Sequence, residues 1–194
     1  MARTKEFDPD TALLSALELF WRRGYEATSM ADLVEHLGIG RASLYATFGS
    51  KHDLYLKALD RYQQDRLPPL LRALSQPGPV LPAVRALVRQ YADESATDEL
   101  RLRGCMVTNA AAELAPHDPA AARSVEHDWD RVETALHAAL VRARAQAELP
   151  ADRAPLALAR TLLVLLQGLR VVGKASTDPA RVRDAADQAL RLLD

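Results

Sequence analysis

The sequence predicts an all-α protein, and three observations carry that expectation. Among 194 residues there are 11 prolines and 8 glycines, with 5% aromatics, too little turn chemistry and aromatic alternation for a β-sandwich or barrel. Apolar residues recur three and four apart in stretch after stretch, the period of a helix with one buried face. Those stretches open on capping residues and close on glycine or before proline, as helices do. With 48% hydrophobic and 26% charged residues, the composition is that of an ordinary globular chain and excludes disorder. The length suits one compact domain or a small module joined to a larger one.

The first element runs from Asp8 to Arg23. Asp8 caps it and Pro9 takes its first position, Leu13, Leu14, Leu17, Phe20 and Trp21 form one apolar face, and Gly24 stops it. Thr28 or Ser29 then caps a two-turn helix with Met30, Leu33, Val34 and Leu37 at helical spacing, ending at Gly38. Gly38-Ile39-Gly40 separates it from Arg41–Phe48, whose Leu44 and Phe48 sit four apart and face inward. Gly49-Ser50-Lys51 stops that helix and caps a longer one through Leu71, with Leu54, Ala58 and Tyr62 along one side. A break at Pro77-Gly78-Pro79 and Pro82 follows, and then helical patterns over roughly 82–96, 102–114, 118–147, 152–174 and 178–193.

Two short helices joined by three residues, with glycine first and an apolar residue second, form a helix-turn-helix pattern. Gly38 can take a left-handed backbone, Ile39 plugs the space between the helices, and Ala42 permits close approach. Read as F-x3-G-Y-x-A-T-S-M-x-D-L and G-I-G-R-A-S-L-Y-x3-F-x-S-K-x-x-L, the stretch from Phe20 to Leu54 resembles the DNA-binding domain of TetR-type transcriptional regulators. Two positions depart from the family pattern. Gly40 stands where a capping serine is more common, and Thr47 where histidine or tyrosine is, so an operator sequence cannot be carried over from a relative.

On helix-turn-helix geometry, Arg41, Ala42, Ser43, Tyr45, Ala46 and Thr47 are the candidates for contact in the major groove, while Leu44 and Phe48 belong to the core. The resemblance implies that Thr28, Ser29, Tyr45 and Lys51 hold phosphates, and Arg3 and Lys5 would add an N-terminal arm. Helix capping alone also accounts for Thr28 and Ser29. Residues 1–66 carry nine Lys and Arg against ten Asp and Glu, so the expectation is few ionic contacts and a shallow salt dependence.

The remainder implies a larger helical domain for ligand binding and dimerisation, with domain divisions at 1–50, 51–75 and 76–194. The helix through Leu156, Leu162, Leu163, Leu165, Leu166, Leu169 and Val172 is apolar over most of its circumference and needs partners on two sides. Val182, Ala186, Ala189 and Leu193 form a second seam. The family pairs its last two long helices across a two-fold axis, which implies a homodimer through Leu162, Leu166, Leu169, Val182, Ala186, Ala189 and Leu193. A pocket for a small apolar or aromatic effector is expected around Cys105, Met106, Asn109, Trp129, Val132 and Leu136. Cys105 is open to two readings, a small buried hydrophobe or a regulatory thiol of the kind the Gly-Cys-Met-Val stretch resembles.

Other chemistry finds no pattern. His117, His127 and His137 are ten apart and fall on different helix faces, so no metal site is expected, and no cofactor loop or nucleophile motif occurs. Glu126, Asp128 and Asp130 read as surface charges, and no catalytic constellation is expected. The run from Thr161 to Leu169 is too short to cross a bilayer, and MARTKEFDPD has no apolar core for a secretory signal, so a cytoplasmic location is expected. The resemblance thus implies a regulator, expected to be a repressor, that binds a palindromic operator in double-stranded DNA as a dimer and is released by a small molecule. A helical interaction module or an enzyme without DNA binding is the alternative.

Overall fold

The computed structural model describes residues 7–194, apart from the side chains of residues 98–100, so the arm expected at Arg3 and Lys5 lies outside it. Helices α1 (Pro9–Arg23), α2 (Met30–Leu37) and α3 (Arg41–Phe48) form a head. They lead through α4 (Lys51–Ser75) into α5 (Leu81–Ala96), α6 (Asp98–Arg103), α7 (Met106–Glu113), α8 (Pro119–Ala145), α9 (Pro155–Ala175), α10 (Ala180–Leu190) and a last 3-10 turn at Arg191–Leu193. No strand occurs among the described residues.

The caps behave as their chemistry dictates. The Asp8 carboxylate accepts from the Thr11 N–H at 3.1 Å. Ser29, rather than Thr28, caps α2: its hydroxyl accepts from the Asp32 N–H at 3.1 Å while the Asp32 carboxylate accepts from the Ser29 N–H at 2.8 Å. Ser50 and Asp53 repeat that reciprocal arrangement at α4. Gly38 turns left-handed at φ 65° between α2 and α3, and Gly40 offers α3 no side-chain cap.

Two boundaries differ from the sequence expectation. The single helix expected over 102–114 is broken at Gly104, whose φ of 65° ends α6, and whose missing side chain leaves room for Lys174. Helix α4 continues past Leu71 to Ser75 through Pro68 and Pro69, which supply no N–H to the carbonyls of Gln64 and Asp65 one turn back.

Two apolar cores fill the molecule. The lower one gathers Leu17, Phe20, Leu33, Leu44, Phe48, Leu54, Tyr55 and Leu59 of α1–α4 together with Met106, Val107, Ala110 and Leu114 around α7 and Ala121 and Val125 of α8. The upper one gathers Leu67–Leu74 of α4 with α5, the later part of α8, α9 and α10. The cores therefore cut across the divisions 1–50, 51–75 and 76–194: α4 and α8 each serve both.

Helix α9 corrects the expected interface. Leu162, Leu166 and Leu169, with Val182, Ala186 and Leu193, are all buried in this chain's own upper core, and Ala189 is half-buried beside them. These residues hold α9 and α10 to α5 and α8, because the helices of one subunit suffice to cover that face. Close approach assists: a side chain on Gly173 would run into the Ser95 backbone of α5. The opposite face of α9 stays apolar and uncovered, with Val164 70% exposed, Val171 and Val172 exposed, and open space around Gly168. By length and mean hydropathy α9 would suffice to cross a bilayer, though its inner face is packed as described.

Candidate nucleic-acid interface and sensor cavity

Helix α3 is anchored by Leu44 and Phe48, both buried, and everything else on it turns outward. Arg41, Ala42, Ser43, Tyr45 and Ala46 are exposed and Thr47 is half-buried. The Arg41 guanidinium lies 5.7 Å from the centre of the Tyr45 ring, so the two largest side chains on the helix form one flank.

The residues assigned to phosphates divide. Ser29 is exposed at the start of α2, where free N–H groups and the helix dipole favour an anion. Thr28 is a correction: it is fully buried, and its hydroxyl donates to the Gly24 carbonyl at 2.7 Å, so it shapes the loop and reaches no phosphate. Lys51 is another. Its ammonium donates to the Tyr25 carbonyl at 2.8 Å and the Thr28 carbonyl at 2.9 Å and sits 3.9 Å from the centre of the Tyr25 ring, a pin between α4 and the loop before α2. Arg23 pairs with Asp32, Arg22 with Glu18, Arg61 with Asp65, and Lys57 donates to the Phe48 carbonyl. Arg41, whose guanidinium donates to the Tyr45 hydroxyl at 3.5 Å, is thus the head's cation held by neither a carboxylate nor a carbonyl among the described residues.

The head is fastened to the rest of the chain on its other side. The Glu113 carboxylate accepts the N–H groups of Tyr25 and Glu26 at 3.0 and 2.8 Å, and the Trp21 indole donates to the Gly104 carbonyl at 3.0 Å. Arg103 pairs with Glu18 at 3.1 Å, and His52 meets Asp118.

Where the two cores meet, the apolar filling stops. A cavity of about 30 Å³ lies there, where Gln63, Arg66, Asp128 and Gln167 meet an otherwise apolar wall of Leu67, Leu70, Val107 and Val132, with Tyr62, Tyr91 and Cys105 between them. A wider recess of about 230 Å³, lined by Asp65, Arg66, Pro69, Leu87 and Tyr91, adjoins it between α4 and α5 and shares Arg66, Leu70 and Tyr91 with it. The Tyr62 hydroxyl is buried beside the Cys105 thiol and finds no oxygen or nitrogen partner. Burial pushes the Tyr62 hydroxyl well above the ordinary tyrosine range, and it raises the Asp128 carboxyl to about 6. Burial also works against the charge on Glu94, but hydrogen bonds from Arg170 and Gln90 outweigh it and keep that carboxyl below its usual range. Arg170, itself buried, lies 4.4 Å from the centre of the Tyr91 ring, so Glu94 and Arg170 brace the Arg66–Tyr91 side of the cavity.

Of the six residues expected to form a pocket, Cys105 and Val132 line this cavity. Met106 and Leu136 are instead buried in the lower and upper cores. The Asn109 amide donates to the Arg103 carbonyl at 3.1 Å and accepts from Lys174 at 3.3 Å, so it ties α6 to α9. Trp129 packs against the lower core with its indole N–H unpartnered. The expected apolar site is a mixed one, because Asp128 faces inward and not to solvent and joins Arg66 and Gln167 among Leu67, Leu70, Val107 and Val132. Sequence reasoning missed Tyr62, Arg66, Tyr91, Asp128 and Gln167. The available signal was the interruption of apolar faces by polar residues, Gln63 four after Leu59 and Gln167 four after Leu163. Among the described residues no group of His, Cys, Asp and Glu is arranged to hold a metal ion.

Comparison with known proteins places this geometry. Residues 12–58 match the family model described as bacterial regulatory proteins, tetR family, and residues 80–189 match the tetracyclin repressor-like C-terminal domain. The chain is 38% identical over the full length of both chains to an uncharacterized HTH-type transcriptional regulator, YezE, of Bacillus subtilis (strain 168). It is 31% identical to the HTH-type transcriptional repressor ComR of Escherichia coli (strain K12), covering 98% of this chain and 90% of that one. A solved structure of the TetR family regulator CifR, a cysteine mutant complexed with 26-bp double-strand operator DNA, superposes with a TM-score of 0.86 at 31% identity over all of both chains.

Proposed function

Because the chain belongs to the TetR family and is a DNA-binding transcriptional regulator, we propose that it is a repressor: a dimer holds a palindromic operator, and a small molecule that enters through the recess between α4 and α5 and widens the adjoining water-sized cavity between the two cores releases it. One observation carries the reading. Helix α4 packs against the exposed recognition helix through the head's core at one end and walls the cavity at the other, so a single element touches both sites. In this division residues 1–50 read DNA, 51–75 transmit, and 76–194 bind effector and dimerise, in the cytoplasm where the operator is.

The uncovered face of α9, centred on Val164 and Gly168, is the surface that a second subunit would cover. Pairing there sets two α3 helices on one side of the dimer, as a two-fold symmetric operator requires. The effector is a small molecule carrying a hydrogen-bond acceptor, since the buried Tyr62 hydroxyl supplies a donor with no oxygen or nitrogen to meet it. Release requires only that this molecule bind the DNA-incompetent arrangement more tightly, and a coupling of about 1–3 kcal/mol gives roughly 5- to 150-fold loss of operator affinity.

The test is titration of the protein into a labelled duplex from upstream of its own coding sequence with random DNA as competitor, followed by a genome-wide selection of bound fragments. Preferential retention of one sequence supports the reading. Failure of both searches removes it in favour of a helical interaction module.

A further inference from the structure

A helix that enters a groove reads deepest with the residues opposite its anchored face, and on α3 those residues have almost no polar chemistry. At about 100° per residue, Leu44 and Phe48 set the inward direction, and Ala46 falls at the point opposite it with Ala42 about 40° away. Ser43 lies about 60° to one side of that crest, Thr47 and Tyr45 about 100° away on either side, and Arg41, about 140° round, stands at the edge of the buried face at the start of the helix. Both alanines are exposed, and Gly40 before them adds no side chain. Two methyl groups at a crest can neither donate nor accept a hydrogen bond, so they cannot distinguish guanine, adenine or cytosine by edge pairing. What they can recognise in the major groove is the one apolar group displayed there, the C5-methyl of thymine.

We propose that this protein reads its operator chiefly through thymine methyl groups packed against Ala42 and Ala46, with the exposed Ser43 beside them and Arg41 at the start of the helix supplying the polar contacts. The scarcity of uncommitted cations in the head is consistent with this mode, because discrimination then comes from close packing and does not need a dense set of ionic contacts. The short side chains also let the helix backbone approach the bases closely. Lengthening either alanine would hold the helix off the groove floor. The inference rests on the reading of α3 as the groove-entering helix and adds to it the chemical group that the helix recognises.

The experiment is a pair of selections with the full-length protein, from one random duplex library made with thymine and from the same library made with uracil, which lacks only the methyl. Each methyl contact is worth about fourfold in affinity, so two per half-site and two half-sites give a loss on the order of a hundredfold in the uracil library. A duplex selected from the thymine library is then altered to uracil one position at a time, with the wild type and with Ala46→Gly. The wild type should lose about fourfold at the contacted position. Ala46→Gly, whatever its overall affinity, should show a uracil-to-thymine ratio near one there. The ratio cancels any general loss from glycine in a helix, and an intact helical spectrum confirms folding. Equal enrichment of the same sequence from both libraries overturns methyl recognition while leaving the regulator reading in place. Enrichment from neither library overturns both. A uracil penalty that Ala46→Gly and Ala42→Gly both leave unchanged assigns the effect to the DNA itself and also overturns the proposal.

Discussion

Replacing Val164 by arginine should separate the subunits without unfolding them, and replacing Leu166 should do the reverse. The two residues are two positions apart on α9 and so point to nearly opposite sides of the helix. Val164 is 70% exposed in the single chain, whereas Leu166 is wholly buried between α9 and its neighbours. Covering a valine side chain contributes about 1.5–3 kcal/mol, and a two-fold axis counts it twice, so truncation at position 164 removes roughly 3–6 kcal/mol from association. That corresponds to about 10²- to 10⁴-fold in the dimer dissociation constant, and a buried arginine adds a desolvation cost. Leu166→Ala instead leaves a cavity inside one subunit, at about 2–5 kcal/mol of its own stability. Sedimentation velocity over a concentration series reads the first quantity and thermal unfolding the second. A Val164→Arg protein that dimerises as tightly as the wild type would refute the assignment of this face of α9. Loss of helix content in that variant would equally show that Val164 belongs to the fold.

Tyr45→Ala removes the largest exposed side chain of the recognition helix and should weaken operator binding about tenfold in an electrophoretic titration, with sedimentation unchanged; an unaltered affinity would mean that Tyr45 makes no contact with the operator. Tyr62→Phe deletes a buried hydroxyl with no oxygen or nitrogen partner, so the subunit should melt at the same temperature or about 2–4 °C higher, while response to effector weakens; a lower melting temperature would show that the hydroxyl has a real partner in the folded chain. Asp128 gives a pH dependence of defined sign: its folded carboxyl keeps a proton up to about pH 6 because of burial, whereas the unfolded one releases it near 3.8. Folding therefore takes up a proton between those values, and stability from this group falls as pH rises from about 4 to 6 and stays lower above. Asp128→Asn should remove that fall in a series of thermal melts, and a wild type whose stability from this group rises across the same interval would refute the burial of this carboxyl.

Local chemistry made the head legible in the sequence. Asp8 with Pro9, Ser29 with Asp32 and Gly38 with Ile39 act within a few residues of one another, so the bounds of α1 to α3 follow from short-range hydrogen bonds and backbone preference. The helix through Leu162, Leu166 and Leu169 was equally visible as a helix. Which side of it meets the same chain and which side is left over depends on how many neighbours reach it, and no pattern within 152–174 encodes that. Asp128 shows the same limit in reverse. A carboxylate between His127 and Trp129 has the appearance of a surface charge until α4 and α9 close over it. Thr28 and Lys51 matched family positions by residue type, yet their polar atoms are taken up by carbonyls brought in by the turn at Gly24 and Tyr25.

The sharing of the lower core decides how release can occur. Met106, Val107, Leu114 and Val125 belong to the sensing half by sequence but are buried with the head. Parting the head from them would expose four large apolar side chains, about 6–12 kcal/mol at 1.5–3 kcal/mol each, well beyond the roughly 1–3 kcal/mol that effector coupling typically supplies. On the proposed release mechanism the head would therefore move together with α7 and the beginning of α8 as one body. The pivot of such a motion would lie where that body ends, between Tyr62 and Leu67 on α4 and between Val125 and Val132 on α8. Those two stretches hold Arg66 and Asp128 on the cavity wall, and on α4 they adjoin the two prolines that deprive the Gln64 and Asp65 carbonyls of helical partners. The recognition helix lies at the far end of the moving body, so a small rotation at the seam becomes a larger displacement between the two helices that must fit one operator.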